Sequence, residues 1–305
     1  MLKYFLKRIV SSIITIFMII TITFFLMKAI PGNPFADEKM PNPEIRAAMM
    51  EKYGLNKPVI EQYFVYLGNF IRGDFGVSYT RAGITVNKVI AEGFPYSLTI
   101  GLYASLIVVF AGIGFGVMCA LNQNKFIDRF FMVLSTLGAT IPSFVLATGF
   151  LFIFSKTLGW VPAFGVDTAA GYIGPIVVIG AFSLSFITRL TRTSLLEVQQ
   201  QDYIRTARSK GISEFKVTYK HALRNALLPV ITYVGPMVAS IVTGSFVIEK
   251  VFGIPGVGSL FTNSIINRDY PLIMGITVFF AILLIISVLI VDFIYVLVDP
   301  RIKLD

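Results

Sequence analysis

Long apolar segments alternate with shorter polar ones along most of this 305-residue chain. A helix needs about 20 apolar residues to cross the hydrocarbon of a membrane, so the pattern predicts six membrane-spanning helices. They cover residues 9–30, 97–121, 130–154, 172–187, 228–248 and 272–298. The fourth is the shortest, and Gly174, Pro175 and Gly180 interrupt it. The pattern therefore predicts an all-α polytopic membrane protein.

The predicted spans divide the chain into four regions. Residues 1–30 form an N-terminal tail with the first helix, and residues 31–95 form a long loop. Residues 96–298 form a membrane core, which contains a polar loop at 189–227 and an apolar segment at 250–271 that is too short to span. Residues 299–305 form a C-terminal tail.

The composition agrees with a membrane protein, because only 14% of the residues are charged against roughly 25% in soluble domains. The net charge of +9 does not indicate nucleic-acid binding, since the basic residues flank apolar runs rather than line one soluble face. With the N-terminus inside, 15 of the 26 Lys and Arg residues lie on the inner side. The positive-inside rule therefore predicts that both termini and the loop 189–227 are cytoplasmic.

The loop 31–95 would then be extracellular, and it is too long for a simple connection. Pro43 suits the first turn of a helix and Gly54 suits its end, while the apolar and aromatic run 59–70 predicts a second helix. We expect a small, partly helical extracellular insertion. It could bind an external protein or simply pack on the helix ends, and the residues leave both interpretations open.

The loop 189–227 carries eight Lys or Arg residues against three acids. Gly211 separates two predicted helices, one over 202–210 and one that begins after Ser213, a good N-cap residue. A basic stripe recurs every four residues along the second helix: Lys216, Lys220 and Arg224. This helix–glycine–helix hairpin could dock on a soluble partner or lie on anionic lipid, and the pattern alone favours neither.

Two further features of the core are candidate functional elements. The segment 250–271 is rich in glycine and proline but too apolar for a solvated loop, so we expect irregular backbone that dips into an outer vestibule. It could be an external gate or a structural plug. Asp292 would lie roughly 10 Å below the inner end of the last helix, where an acid serves either a function or a structural bond to a neighbouring helix.

Several classes of protein are disfavoured by what the sequence lacks. Its single histidine, His221, excludes an HExxH metal site, and its single cysteine, Cys119, excludes a disulfide within the chain or a thiolate metal cluster. No G-x-x-x-x-G-K-[ST] phosphate loop is present. A membrane-embedded enzyme is therefore disfavoured, and a channel or receptor is the remaining alternative to a transporter.

The hairpin sequence DYIRTARSKGISEFKVTYKHALRNALLPVI resembles the EAA-type loop of ABC importer permeases, in the version of the dipeptide and oligopeptide branch. Arg205-Thr206-Ala207 stands where the broad signature has Glu-Ala-Ala, and the distance from Gly211 to Pro229 is longer than in the general pattern. Both departures are typical of the peptide branch. They narrow the resemblance to that branch.

Three other stretches agree with this resemblance. GSFVIEKVFGIPGVGSLFTNSIINRDYPLIMG at 244–275 and VDPRI at 298–302 are similar to the peptide/nickel permease pattern, as are PGNP at 31–34 and YGLNKP at 53–58. The resemblance covers essentially the whole chain. It is strongest to the B-type permease subunits of oligopeptide importers, which a long first outer loop also suits.

The resemblance implies the type I ABC importer permease fold and transport of oligopeptides across the bacterial plasma membrane, with nickel, dipeptide and oligosaccharide as alternative cargoes. The implied partners are a C-type permease, two cytosolic ATPases that carry ATP and Mg²⁺, and an extracellular substrate-binding protein; the chain itself would hold no cofactor. The helix before Gly211 would dock on an ATPase through Asp202, Tyr203, Arg205, Thr206, Ala207, Arg208, Lys210 and Gly211. Candidates for the outer gate are Glu249, Phe252, Gly253, Pro255, Gly256, Arg268, Asp269 and Tyr270.

Overall fold

The computed structural model describes residues 2–30, 43–81 and 83–298. In chain order its α-helices are α1 (Leu2–Ala29), α2 (Pro43–Lys52), α3 (Val59–Ile71), α4 (Val86–Leu121), α5 (Phe126–Thr140), α6 (Ser143–Phe150), α7 (Ile173–Gln199), α8 (Asp202–Ser209), α9 (Glu214–Lys216), α10 (Leu223–Ala226), α11 (Leu228–Val242), α12 (Phe246–Val251), α13 (Val257–Asn267) and α14 (Tyr270–Val298). Two π-helical turns (Leu151–Thr157 and Val217–Ala222) and one 3₁₀ turn (Ala169–Tyr172) join some of them.

These helices form two compact units. The first takes its described residues from 2–95 and 255–286, and its core gathers Val86, Val89, Val257, Leu272 and Ile276. The second takes its described residues from 96–254 and 287–298. Its core includes an apolar cluster around Ile187, Val230 and Met237.

The predicted all-α fold with six spans is confirmed, with one span strongly bent. Five helical stretches are long and apolar enough to cross a membrane: Leu6–Ala29, Val86–Leu121, Ala169–Gln199, Leu228–Val251 and Tyr270–Ile290. The pair Phe126–Thr140 and Ser143–Thr157 passes the same test if the two helices are one broken span. The described residues therefore supply up to six spans.

The third span, predicted over 130–154, is strongly bent. The axis turns by 110° between α5 and the helix that follows. Ile141 is extended at φ −76° and ψ 125°, because the ring of the following Pro142 disfavours the α conformation in the residue before it. The break therefore has a local cause in the sequence.

The fourth span is longer than predicted, because α7 continues through the first eleven residues of the polar loop 189–227 to Gln199. Pro175 is the third residue of α7, where a missing backbone N–H leaves no helical bond unmade. A Cβ at Gly180 would lie 2.9 Å from Val108 Cγ2. Here glycine serves close packing of α7 on α4 and does not interrupt the helix.

The fifth span is broken near one end. α11 ends at Val242, Gly244 adopts φ +86°, and α12 begins at Phe246. The Ser245 hydroxyl caps α12 by accepting a hydrogen bond from the Ile248 backbone N–H at 3.3 Å. A left-handed glycine followed by an N-cap serine therefore ends one helix and starts the next.

The two helices predicted in the first loop both form, as α2 and α3. Gly54 follows α2 at φ +65°, a left-handed conformation that suits glycine after a helix C-terminus. Pro43 and Gly54 therefore predicted the two ends of α2 correctly.

Candidate coupling site and translocation elements

A helical hairpin follows α7 and runs from α8 through a turn to α10, residues 202–226; it is called the hairpin below. One face of α8 is buried, where Ile204 and Ala207 pack with Leu195 of α7 and Val217. The opposite face of α8 is exposed and polar. The hairpin therefore stands on an apolar base and presents a polar surface.

Gly211 closes α8 with a Schellman turn. Its backbone N–H donates to the Arg208 carbonyl at 2.9 Å, and the Ile212 N–H donates to the Ala207 carbonyl at 3.3 Å. Gly211 adopts φ +75°, a left-handed conformation that glycine reaches without strain. A Cβ at this position would meet no atom within 4 Å, so the turn needs glycine for its backbone and not for its packing.

Side-chain bonds tie the two arms of the hairpin together. The Arg208 guanidinium donates to Glu214 in a bidentate pair, with Nε to Oε1 at 2.9 Å and Nη2 to Oε2 at 3.2 Å. The Asn225 amide donates to the Tyr203 hydroxyl at 2.8 Å. Arg208 and Tyr203, which the sequence assigned to the surface for a partner, therefore also hold the hairpin in shape.

All eight residues predicted for ATPase docking lie on α8 or in its C-terminal turn, and seven of them are exposed. The exposed ones are Asp202, Tyr203, Arg205, Thr206, Arg208, Lys210 and Gly211. Ala207 is buried against the apolar base. The basic stripe on the second arm, Lys216, Lys220 and Arg224, is exposed as well. The predicted second helix itself is divided into α9, a π-helical turn and α10.

A buried ion pair between α5 and α7 was missed by the sequence analysis. Arg192 of α7 donates to both carboxylate oxygens of Asp128 on α5, at 2.6 and 2.8 Å. The Asn124 backbone N–H donates to the same carboxylate at 2.8 Å. Asp128 is only 2% exposed. The sequence does contain a signal for this pair: an acid stands just before one apolar segment and a base just after the next. Charges so close to membrane segments are rare and often pair with one another.

Glu249, a predicted gate residue, is buried in the second unit at the break between α11 and α12. It is 2% exposed, and the Ser97 hydroxyl donates to its Oε1 at 2.7 Å. A Cβ at Gly244 would lie 2.3 Å from the same oxygen. Glycine therefore suits the positive φ here, and any larger residue would also have to displace the Glu249 carboxylate.

Phe252 follows Glu249 and is also packed. Phe252 is buried, its ring lies 6.3 Å from that of Phe150, and its carbonyl accepts a hydrogen bond from the Gly165 N–H at 2.8 Å. Gly253 adopts φ +64° and is exposed. Phe252 is therefore part of a folded core, and Gly253 turns the chain at its edge.

Asp269, in the first unit, is fully buried and organises the turn 78–80. The hydroxyls of Ser78 and Thr80 and the backbone N–H groups of Tyr79 and Thr80 all donate to its carboxylate. Burial raises the pKa of the neighbouring Tyr79 phenol, and the charges of Asp269 and Tyr53 raise it further. Tyr79 therefore stays protonated at physiological pH.

The remaining residues predicted for the gate belong to the same unit, and they lie at the two ends of α13. Gly256 is its N-cap residue, next to Pro255, and Arg268 ends it in the left-handed region at φ +57°. Tyr270 then begins α14. The irregular backbone expected over 250–271 was therefore wrong, because 11 of its residues form α13.

Asp292 is a residue of α14, but its side chain is not among those that the structure describes. Its predicted role stays a prediction.

A cavity of about 540 Å³ opens within the second unit where two helices are broken. Its lining includes the bend at Ile141 and Pro142 and the break at Gly244 and Ser245. Hydroxyls of Thr140, Ser143, Ser183, Ser240 and Ser245 belong to lining residues, and none of the described residues that line the cavity is charged. Freed backbone groups at membrane depth are acceptable where they line such a space.

Two family profiles match this sequence and together cover most of it. Residues 112–304 match the family described as binding-protein-dependent transport system inner membrane component. Residues 1–101 match the N-terminal region described for membrane components of the same transport systems. The first match includes the hairpin, the cavity and the segment 250–271.

Individual relatives match along their whole length. The dipeptide transport system permease protein DppB of Bacillus subtilis is 47% identical over 304 residues, which cover 100% of this chain and 99% of that protein. The oligopeptide transport system permease proteins OppB of Haemophilus influenzae and Escherichia coli K12 are 44% and 42% identical, each over 99% of this chain and 100% of its own length.

A solved structure gives the same fold. Inward-facing MetNI methionine ABC transporter matches with a TM-score of 0.58 at 18% identity, over 69% of this chain and 96% of that one. The predicted type I importer permease fold is thereby confirmed. Because a family profile covers more than half of the chain and full-length relatives exceed 40% identity, the chain belongs to the family of inner membrane components of binding-protein-dependent transport systems, as a transport subunit.

Proposed function

We propose that this chain is a permease subunit of an ATP-driven importer that moves oligopeptides across the bacterial plasma membrane after an extracellular protein delivers them. The peptide cargo is supported by the full-length similarity to proteins named oligopeptide and dipeptide transport permeases. The uncharged lining of the 540 Å³ cavity supports a route that does not select by side-chain charge, as peptides of varied sequence require.

The observation that carries the proposal is the two-faced structure of α8. Its apolar face is fixed to the core through Ile204 and Ala207, so a force applied to the hairpin is transmitted to α7. Its polar face is exposed and is the surface on which a cytosolic ATPase docks. A second permease of C type and two ATPases that hold ATP and Mg²⁺ complete the importer.

The proposed orientation places both termini and the hairpin in the cytoplasm. The exposed basic stripe at Lys216, Lys220 and Arg224 supports this side by the positive-inside rule. It also steers the docking of a partner with an acidic rim, because charges on an exposed surface act mainly on the rate of encounter.

Closure of the two ATPases on ATP draws their docked hairpins together and shifts the spans between inward-facing and outward-facing states. ATP binding drives that shift only if the ATP-bound ATPases contact the two states differently. The hairpin is the part of this chain that makes those contacts. The breaks at Pro142 and Gly244, which border the cavity, are the hinge points at which the transport route widens or narrows.

The outer gate is proposed to include the group at Glu249, Phe252 and Gly253, and separately Pro255, Gly256, Arg268, Asp269 and Tyr270 around α13. A gate of this kind moves as a folded piece and does not unravel, because Glu249 and Asp269 are each held by hydrogen bonds from neighbouring residues.

The cargo is tested by uptake into vesicles that contain the whole importer and its binding protein. We expect labelled pentapeptide to accumulate in an ATP-dependent way, and unlabelled pentapeptide to compete better than dipeptide, nickel or an oligosaccharide. Accumulation that competes only with dipeptide, nickel or sugar would reassign the cargo within the family. Flux without ATP would favour a channel.

The coupling role is tested by Gly211→Asp, with Gly159→Asp as its matched control. Both glycines have positive φ, +75° and +66°, and open space around the Cβ position, so the backbone strain is similar. We expect Gly211→Asp to abolish uptake and ATPase co-purification at normal membrane levels, while Gly159→Asp keeps both. Normal uptake by Gly211→Asp would remove the hairpin from the docking surface.

A further inference from the structure

The helix α3, in the loop that follows α1, lies against α1 at membrane depth. The Thr21 hydroxyl donates to the Phe17 carbonyl, so the Tyr63 hydroxyl of α3 is the donor in its 2.8 Å bond to Thr21. The Tyr63 ring lies 5.4 Å from that of Phe24 and 5.3 Å from that of Phe25. The Lys28 ammonium donates to the Gln62 side chain. Four contacts thus fix α3 to the last three turns of α1.

These contacts set the depth of α3 in the membrane. α1 is one of the apolar stretches long enough to span, and its last charged residue, Lys28, marks the water interface. Thr21 lies seven residues before Lys28, which is roughly 10 Å deeper at 1.5 Å per residue. Because Tyr63 bonds to Thr21 and packs on Phe24 and Phe25, the Tyr63 ring lies below the level of Lys28.

A side of α3 next to the one that contacts α1 is apolar and exposed. At 3.6 residues per turn, Ile60, Phe64 and Ile71 fall within about 40° of one another around the helix. Ile60 is 58% exposed, Phe64 64% and Ile71 76%. Charged residues flank this stripe: Lys57, Glu61 and Arg72. Apolar side chains of this size in water would be costly, at about 25 cal/mol per Å² of exposed apolar surface.

We propose that α3 is an interfacial helix whose stripe is embedded in the lipid leaflet on the side where α1 ends, the outer leaflet in the proposed orientation. A soluble binding protein does not reach that depth. Lipid does, because α1 itself is apolar and exposes large apolar side chains on more than one side, at Ile13, Ile22 and Leu26, as a helix surrounded by lipid does. Interfacial helices are typically buried about 5–10 Å below the headgroup boundary, which agrees with the level of Phe24 and Phe25.

This arrangement gives the insertion at 43–95 an anchor of its own. Lys57 forms an ion pair with Glu61 at 2.6 Å beside the stripe, and Arg72 follows its end. Long charged side chains at such positions extend to the headgroups while their stems stay in the apolar layer. The inference depends on α1 being a membrane span and is independent of the cargo or of the ATPase.

The experiment uses the whole importer in lipid nanodiscs, with a bimane fluorophore on one engineered cysteine. The native Cys119 is buried, and Cys119→Ala removes it. Probes at Ile60→Cys and Phe64→Cys test the stripe. Ile45→Cys on the polar helix α2 is the matched control, since Ile45 is an isoleucine of the same loop with a similar exposure of 51%. Each probe is quenched by mid-chain doxyl lipid and, separately, by aqueous iodide.

We expect doxyl lipid to quench the probes at positions 60 and 64 several-fold more than the probe at position 45, with the order reversed for iodide. Iodide quenching at position 60 equal to that at position 45 would place α3 in water and overturn the proposal. Protection of positions 60 and 64 from both quenchers would show that a protein covers the stripe, which also overturns it. Uptake activity of each labelled importer confirms that the probe leaves the complex assembled.

Discussion

The turn at Gly211 and the break at Gly244 use the same backbone device in opposite surroundings. Both glycines end a helix in the left-handed region, at φ +75° and +86°. Around Gly211 a Cβ would meet no atom within 4 Å, whereas at Gly244 it would lie 2.3 Å from the Glu249 carboxylate. The first glycine forms a turn that is open to a partner, and the second forms a joint that is closed by its own protein.

The charges beside the two glycines differ in the same way. Arg208 and Glu214 form their pair at the surface, with 39% and 68% of their side chains exposed. Glu249 is buried and accepts a hydrogen bond from Ser97. A polar group that is buried costs free energy when its partner is removed, while an exposed pair contributes little to stability. Stability should therefore depend on the closed joint, and partner binding on the open turn.

The largest effect on stability is expected at the buried ion pair between α5 and α7. Asp128→Ala leaves Arg192 without its carboxylate partner, and breaking a buried pair costs roughly 3–5 kcal/mol. We expect about 3 kcal/mol, at the low end of that range, because a fifth of the Arg192 side chain is exposed. The free energy of unfolding in mixed micelles measures this loss.

A double variant separates the charge from the packing at that site. Asp128→Leu combined with Arg192→Met removes both charges, and we expect it to regain most of the stability, since apolar replacement of a buried pair is often neutral. A double variant as unstable as Asp128→Ala would show that helix contacts between α5 and α7, and not the unpaired charge, determine the loss.

The second-largest loss of stability is expected at Gly244, and the matching change at Gly211 serves as its comparison. Gly211→Ala and Gly244→Ala both pay the left-handed penalty of roughly 1–2 kcal/mol. Only Gly244→Ala also displaces the Glu249 carboxylate from its bond to Ser97, which adds roughly 1–3 kcal/mol. We expect Gly244→Ala to be the less stable by about 2 kcal/mol in the same unfolding assay. Equal stabilities would mean that the Glu249 side chain moves aside at little cost.

The sequence predicted the open turn far better than the closed joint, for a physical reason. Gly211 and Ser213 are local signals, because helix ends are set within a few residues. The first arm and the turn therefore form as predicted, with a helix that ends at Ser209 and a turn at Gly211, whereas the predicted second helix is divided.

The joint and the buried pair depend on contacts between distant parts of the chain. Ser97 reaches Glu249 across 152 positions, and Arg192 reaches Asp128 across 64. Hydrophobic periodicity carries no information on such pairs. The 110° bend after α5 is an intermediate case: Pro142 was visible in the sequence, but a proline in a span is often tolerated without a break.

The smallest effect on stability is expected at Arg208. Its pair with Glu214 links α8 to the start of α9 across the turn at Gly211. Arg208→Glu breaks an exposed pair, so the free energy of unfolding should change by about 1 kcal/mol or less. Uptake should nevertheless fall several-fold, because two acids now repel across the turn and α8 loses its fixed angle to α9. The swap Arg208→Glu with Glu214→Arg restores the pair with its charges reversed. If Arg208 acts by shaping the hairpin, the swap recovers most of the uptake. If the swap transports as poorly as Arg208→Glu, Arg208 contacts the ATPase itself, and the pair with Glu214 is only its resting position.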